Sequence, residues 1–195
     1  MKLAFVDIDT QVDFMLPEGA LYVPGAETLI PNLERLIAYA RDNGIPVIAS
    51  VDAHLIGDPE FEQFPPHCVV NTPGQQKVSS TGIAGAQTIG VQKVPDLQVG
   101  NALVLEKTVF SIFGNENADE VFRQIKADEY VVFGVATDYC VKAAVLGLIE
   151  RGYKVAVVED AIKGVTEQGA LEAIEEMRRA GARFVTTEQV IANEK

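Results

Sequence analysis

Short, wholly apolar runs recur along this chain, each followed by a segment of helical spacing that tends to stop at a glycine. Leu3-Ala4-Phe5-Val6 reads as a first strand buried on both faces. From Gly25 to Asn43 the positions Leu29, Leu33, Leu36, Ile37 and Ala40 recur at helical intervals. Gly44 closes that helix, and Pro46-Val47-Ile48-Ala49 starts a second strand. A helix carrying Val141, Ala144, Val145, Leu148 and Ile149 stops at Gly152 before Val155-Ala156-Val157-Val158. Another, with Leu171, Ile174 and Met177, stops at Gly181 before Phe184-Val185. Between them lie the strand Ala102-Leu103-Val104-Leu105, a helix through Val121, Phe122 and Ile125, and the strand Tyr130-Val131-Val132-Phe133. Strands that are apolar throughout belong to a parallel sheet covered on both faces. The expectation is a Rossmann-like, three-layer α/β/α fold with a six-stranded parallel sheet.

The 195 residues suit one domain, 1–195, and 48% hydrophobic side chains supply its core. Residues 53–100 break the rhythm with Pro59, Pro65, Pro66, Pro73 and Pro95 and no long periodic stretch. So long a loop inside a compact domain is usually functional. Sixteen basic against 28 acidic side chains give a net charge of −12, which speaks against a protein that grips nucleic-acid phosphates. No apolar run approaches the roughly 18 residues of a membrane span. Asp7 arrives too early for the apolar stretch of a signal peptide, so the expected setting is cytoplasmic, with no membrane partner. Cys68 and Cys140 are two thiols without a CxxC pair, and free thiols are the default.

In open parallel sheets, ligands bind beyond the carboxyl ends of the strands. Asp7, Asp9 and Asp13 gather there after the first strand, and Asp52 and His54 after the second. Glu106 and Lys107 follow the third; Thr137, Asp138 and Cys140 follow the fourth. With Thr137 or Asp138 as N-cap, Cys140 falls in the first turn of a helix, where the positive dipole end favours a thiolate. Lys107 would lower the thiol pKa further, and a carboxylate would accept the proton. The same cysteine also reads as a buried structural thiol. Asp52 and His54, two apart on an extended segment, point to one side, and His67 returns from the loop. Three such ligands suit Zn²⁺, Fe²⁺ or Mn²⁺, or they are unrelated surface residues. P-loop, G-x-G-x-x-G and G-x-S-x-G motifs are absent. Asp160 reads as a solvated or helix-capping carboxylate.

Taken in order, Val6-Asp7-Ile8-Asp9-Thr10-Gln11-Val12-Asp13-Phe14, Asp52-Ala53-His54, Pro66-His67-Cys68, Lys107 and Gly134-Val135-Ala136-Thr137-Asp138-Tyr139-Cys140 resemble the isochorismatase-like cysteine hydrolases, roughly over residues 3–190. The metal motif points to the nicotinamidase/pyrazinamidase group among them. The resemblance implies a catalytic triad of Asp9, Lys107 and Cys140. It also implies an oxyanion hole from the backbone N–H groups of Ala136 and Cys140, with a cis peptide before Ala136. One divalent transition metal ion (Zn, Fe or Mn) would be held by Asp52, His54 and His67. Many members have a further His between the last two; here Glu60 stands in its place and is carried as a fourth ligand. Phe14 and Phe64 would form the aromatic wall of the substrate pocket, Phe64 standing where a Trp is common.

The activity implied is hydrolysis of nicotinamide, and of pyrazinamide, to the acid and ammonia through a thioester. Rival readings are a cysteine amidohydrolase for a ureido or carbamoyl compound, isochorismate hydrolysis, a noncatalytic metal- or ligand-binding module, and a thiol redox protein using Cys68. The resemblance also admits a homo-oligomer.

Overall fold

The computed structural model describes residues 1–192. In chain order the elements are β1 (Leu3–Ile8), a single turn α1 (Val12–Met15), α2 (Ile30–Asn43), β2 (Val47–Asp52), β3 (Gln87–Ile89), β4 (Ala102–Lys107) and α3 (Ala118–Ile125). They continue as β5 (Glu129–Val135), α4 (Lys142–Glu150), β6 (Val155–Lys163), α5 (Glu167–Ala180), β7 (Arg183–Val185) and α6 (Thr187–Ala192). The strands form one sheet in the order β3-β4-β2-β1-β5-β6-β7, and every pairing is parallel.

The sheet has seven strands rather than the six expected from the sequence. The addition is β3, three residues inside the proline-rich stretch that pair with Leu103–Leu105 at the sheet edge. Only Ile89 of the three is buried, so no apolar run announced it. The helix expected from Gly25 begins as a 3₁₀ turn, Ala26–Leu29, and becomes α-helical at Ile30, with Pro31 in the first turn where its missing N–H costs nothing.

Alternation along each strand divides the core in two. Ala4, Val6 and Ile8 of β1 face a cluster completed by Phe122 of α3, Val145 and Leu148 of α4, and Met177 of α5. Phe5 of β1 and Val131 and Phe133 of β5 face Leu33 and Leu36 of α2 and Val190 of α6. The three layers expected from the buried strands are thus present. The strand order reverses at β1, which lies between β2 and β5. A crevice opens at such a switch point beyond the carboxyl ends of the strands.

Gly134 allows the two walls of that crevice to close up. A Cβ built there would lie 2.1 Å from the carbonyl oxygen of Ile8, and the residue adopts φ +116°. Only glycine fits so near the neighbouring backbone in that conformation. Beside it, the β5–β6 register shifts between Val132 and Gly134, and the chain turns out of the sheet towards Cys140.

Candidate active site

Each charged group at the centre comes from a different strand end. Asp9 follows β1, Asp52 ends β2, Lys107 ends β4 and Cys140 follows β5. Asp52 and Lys107 are register partners, so their side chains leave the sheet side by side. The Lys107 ammonium lies 2.5 Å from Asp52 Oδ1, 2.8 Å from Asp9 Oδ2 and 3.6 Å from Cys140 Sγ. The three residues singled out as a triad do meet, and Asp52 joins them. An acceptor atom of each of Asp9, Asp52 and Cys140 lies within 4.8 Å of the others, the spacing of a metal site. The ammonium already sits among these atoms, so this cluster is an ion-pair network.

The two carboxylates are pushed apart in pKa. Burial and the like charge of Asp52 hold Asp9 above the ordinary carboxylate range, despite Lys107. Asp52 is also buried, but Lys107 and His54 prevail and hold it below that range. Such a pair separates a proton carrier from a permanent anion. Burial opposes the charge on Lys107, and the two carboxylates overcome it and keep the amine protonated. Ser50 Oγ donates to Asp9 Oδ1 at 2.7 Å and fixes the carboxylate's orientation.

Cys140 departs from the sequence expectation in two ways. Neither Thr137 nor Asp138 caps a helix at its side chain; residues Thr137–Val141 form a π-helical turn with Ala136 in the N-cap position. Asp138 turns away and accepts from the N–H groups of Val165 and Thr166, tying the turn to the chain after β6. The thiol pKa is raised, not lowered: burial outweighs Lys107, and both carboxylates add to the rise. The resting sulfur keeps its proton, so a nucleophile has to be generated by transfer to a neighbouring base. The peptide Val135–Ala136 is cis, as the resemblance implied.

Asp52 links this centre to a second one. Its Oδ2 lies 3.8 Å from His54 Nε2 and 3.9 Å from His67 Nε2. Glu60 closes the group, with Oε2 3.9 Å from His54 Nε2 and Oε1 3.9 Å from His67 Nε2. Two atoms bonded to one ion at about 2.1 Å can be no more than about 4.2 Å apart, and these pairs fall inside that limit. His54 Nε2 is buried without a hydrogen-bond partner, the signature of a donor atom awaiting a ligand. His67 Nδ1 lies 2.8 Å from Pro65 O, which places its proton there and leaves Nε2 free to bind. Asp52, His54 and His67 therefore form a group able to hold a divalent metal ion, and Glu60 faces the same point. Burial lowers the His54 pKa, but Asp52 and Asp58 outweigh it and raise the value to about 9.

Above both centres lies a pocket whose walls include Phe14 and Phe64, as expected, with Asp52, His67 and Cys140 at its base. Sequence reasoning missed Phe110 and Tyr139. Their rings meet at 5.3 Å, and each packs edge-on against Phe64 at 6.3 Å. Both could have been collected with the strand-end residues, since Phe110 comes just after β4 and Tyr139 just before Cys140. It also passed over Gln11, which clamps the Asp52 backbone. Gln11 Nε2 donates to Asp52 O at 2.9 Å, and Asp52 N donates to Gln11 Oε1 at 2.7 Å. Cys68 is fully buried, and burial pushes its thiol far up; both cysteines are free. Asp160 accepts from the backbone and hydroxyl of Thr187, so it caps α6.

An open parallel sheet with a buried carboxylate, ammonium and thiol at its switch point, beside a His/carboxylate cluster, has the form of a cysteine hydrolase with an adjoining metal site. The sequence matches the family model of the isochorismatase domain over residues 3–189, and the chain belongs to the isochorismatase family. It is 32% identical to the nicotinamidase of Escherichia coli strain K12, with 94% of each chain covered. It is 29% identical to the nicotinamidase/pyrazinamidase of Mycobacterium tuberculosis, covering 93% of this chain and 97% of that one. The crystal structure of the pyrazinamidase of Pyrococcus horikoshii in complex with zinc superposes with a TM-score of 0.80 at 28% identity, covering 95% of this chain and 99% of that one. Among the described residues, no helix is long and apolar enough to cross a membrane.

Proposed function

We propose that this protein hydrolyses nicotinamide to nicotinate and ammonia, and pyrazinamide likewise, with residues 1–195 acting as one hydrolase domain. The observation that carries the reading is Lys107 Nζ, which reaches Asp9, Asp52 and Cys140 at once. The relatives named nicotinamidase, aligned over nearly their whole length, support the substrate.

Asp9 takes the proton from Cys140, and the sulfur attacks the carboxamide carbon. Transfer to Asp9 leaves the net charge of the buried centre unchanged, whereas loss of the proton to water would add an uncompensated anion. The N–H groups of Ala136 and Cys140 receive the developing oxyanion, each such donor being worth on the order of 3 kcal/mol. Asp9 then gives its proton to the departing nitrogen, ammonia leaves, and a thioester remains. Asp9 next removes a proton from water as the water attacks the thioester, and the acid is released while the thiol is restored. Lys107 holds the two carboxylates in place through these transfers.

A single Zn²⁺, Fe²⁺ or Mn²⁺ would be held by Asp52, His54, His67 and Glu60. When bound, it supplies an electrophilic anchor for an electron-rich ring atom of the substrate. The P. horikoshii pyrazinamidase was solved in complex with zinc, which supports a divalent metal as cofactor. Phe14, Phe64, Phe110 and Tyr139 offer ring faces and edges to a flat aromatic amide. Among the described residues, no Lys or Arg lines the pocket, and its walls are largely aromatic. The aromatic walls favour a flat pyridine or pyrazine amide over an aliphatic carbamoyl compound. The two free cysteines suit a reducing compartment, which supports the cytoplasm as the setting of the reaction.

The test is ammonia release from nicotinamide, pyrazinamide and several ureido amides, for the wild type and Cys140→Ala. Wild-type turnover of the first two, lost in a folded Cys140→Ala, is the expected result. Turnover retained by the variant would overturn the covalent route, and release from ureido amides alone would overturn the substrate.

A further inference from the structure

Both imidazoles of the cluster face the same point through Nε2, so each needs its proton held on Nδ1. For His67 that task falls to the carbonyl of Pro65. His54 has no such carbonyl. Its Nδ1 makes no aligned hydrogen bond, and the carboxylate of Asp58 lies 3.0 Å away. The other oxygen of Asp58 is already engaged: Oδ1 accepts from the N–H of Glu60 at 2.9 Å and caps the 3₁₀ turn Pro59–Glu62. One short side chain therefore touches two of the four groups around the site, the ring of His54 and the backbone of Glu60.

We propose that Asp58 is a positioning residue for the metal centre, setting the tautomer of His54 with one oxygen and the placement of Glu60 with the other. The inference rests on the metal site advanced above and adds to it a residue that touches neither ion nor substrate. The chemistry is that of a carboxylate accepting the outer N–H of a ligating imidazole. This fixes the ring and makes Nε2 the better donor, and loss of such a partner typically weakens metal binding about 10–100-fold. The turn explains why an aspartate does this here. Glu60 lies on a loop segment that no strand or α-helix supports, and the capped turn gives it a fixed position relative to His54.

Variants that retain the cap separate the two tasks. In Asp58→Asn the side-chain oxygen still accepts from Glu60, but an NH₂ group now faces His54 Nδ1. It donates there and drives the ring proton to Nε2, which blocks the ligand atom. Asp58→Ser also caps a turn and is too short to reach the ring. The experiment is a zinc titration of chelator-stripped protein against a chromophoric competitor at pH 7.5, with melting curves of each metal-free variant to confirm the fold. The expected affinity order is wild type, then Ser, then Asn, with Asn weaker than wild type by about 10–100-fold. Zinc binding within about threefold across all three proteins would overturn the positioning role while leaving the metal site standing. A wild type that binds no zinc, Fe²⁺ or Mn²⁺ would overturn the metal site and this inference together.

Discussion

Replacing Lys107 by Met tests the electrostatics of the centre, because it removes the cation that bridges Asp9 and Asp52 while keeping a side chain of similar length. Lys107 and Asp9 are fully buried and Asp52 nearly so, with ion pairs of 2.5 and 2.8 Å. Breaking a buried pair from one side costs about 3–5 kcal/mol, since the remaining charge is left uncompensated. At roughly 2–4 °C per kcal/mol for a chain of this size, the melting temperature should fall by about 6–20 °C at pH 7. The deficit should also depend on pH in a defined direction. Asp9 already lies above its ordinary range through burial and Asp52, and losing Lys107 raises it further. A raised carboxyl contributes stability that is complete below its unfolded pKa and lost as pH rises through the folded one. The gap between variant and wild type should therefore narrow from pH 7 to pH 5. Calorimetry of both proteins, stripped of metal, measures it. A Met variant that melts within about 3 °C of the wild type at pH 7, or a gap that widens on acidification, would refute the charge assignment.

The metal-free wild type should lose stability between pH 6.5 and about 9, because His54, raised to about 9, keeps a proton there that the unfolded chain releases. Allowing for solvent screening, the loss is about 1–2 kcal/mol, read from melting curves across that range, and excess zinc should flatten them. Gly134→Ala should cost on the order of 3 kcal/mol in urea denaturation, since its methyl group would overlap Ile8 O at 2.1 Å. With iodoacetamide, peptide mapping should find Cys140, which lines the pocket, labelled before Cys68, which is fully buried.

The sheet was legible because its strands are apolar on both faces, as in Leu3–Val6 and Tyr130–Phe133, and because Gly44 and Gly181 do end α2 and α5. Gln87–Ile89 escaped notice because a three-residue edge strand needs only one inward side chain. The strand-end rule gathered Asp9, Asp52, Lys107 and Cys140 correctly, since topology alone carries them to one rim. It could not foresee the sign of the thiol shift. That sign depends on how completely Cys140 is buried and on Asp52 standing beside Asp9, and neither is written in local spacing. Asp58 and Gln11 stayed hidden for a related reason. Their roles are contacts to the backbone or ring of another residue, and such contacts leave no pattern in the chain.

The ladder between β2 and β4 has a consequence for how this scaffold diversifies. Asp52 sits opposite Lys107, and a slip by one position would swing the lysine to the wrong side of the sheet. Apart from β3 and the residues of the metal cluster, the long excursion joining the two strands is under no such constraint, so it is free to lengthen, shorten or change its aromatic content while the charged centre stays in register. Selection for a new amide would thus act on the segment that supplies Phe64, Glu60 and His67, and leave the engine beneath it untouched.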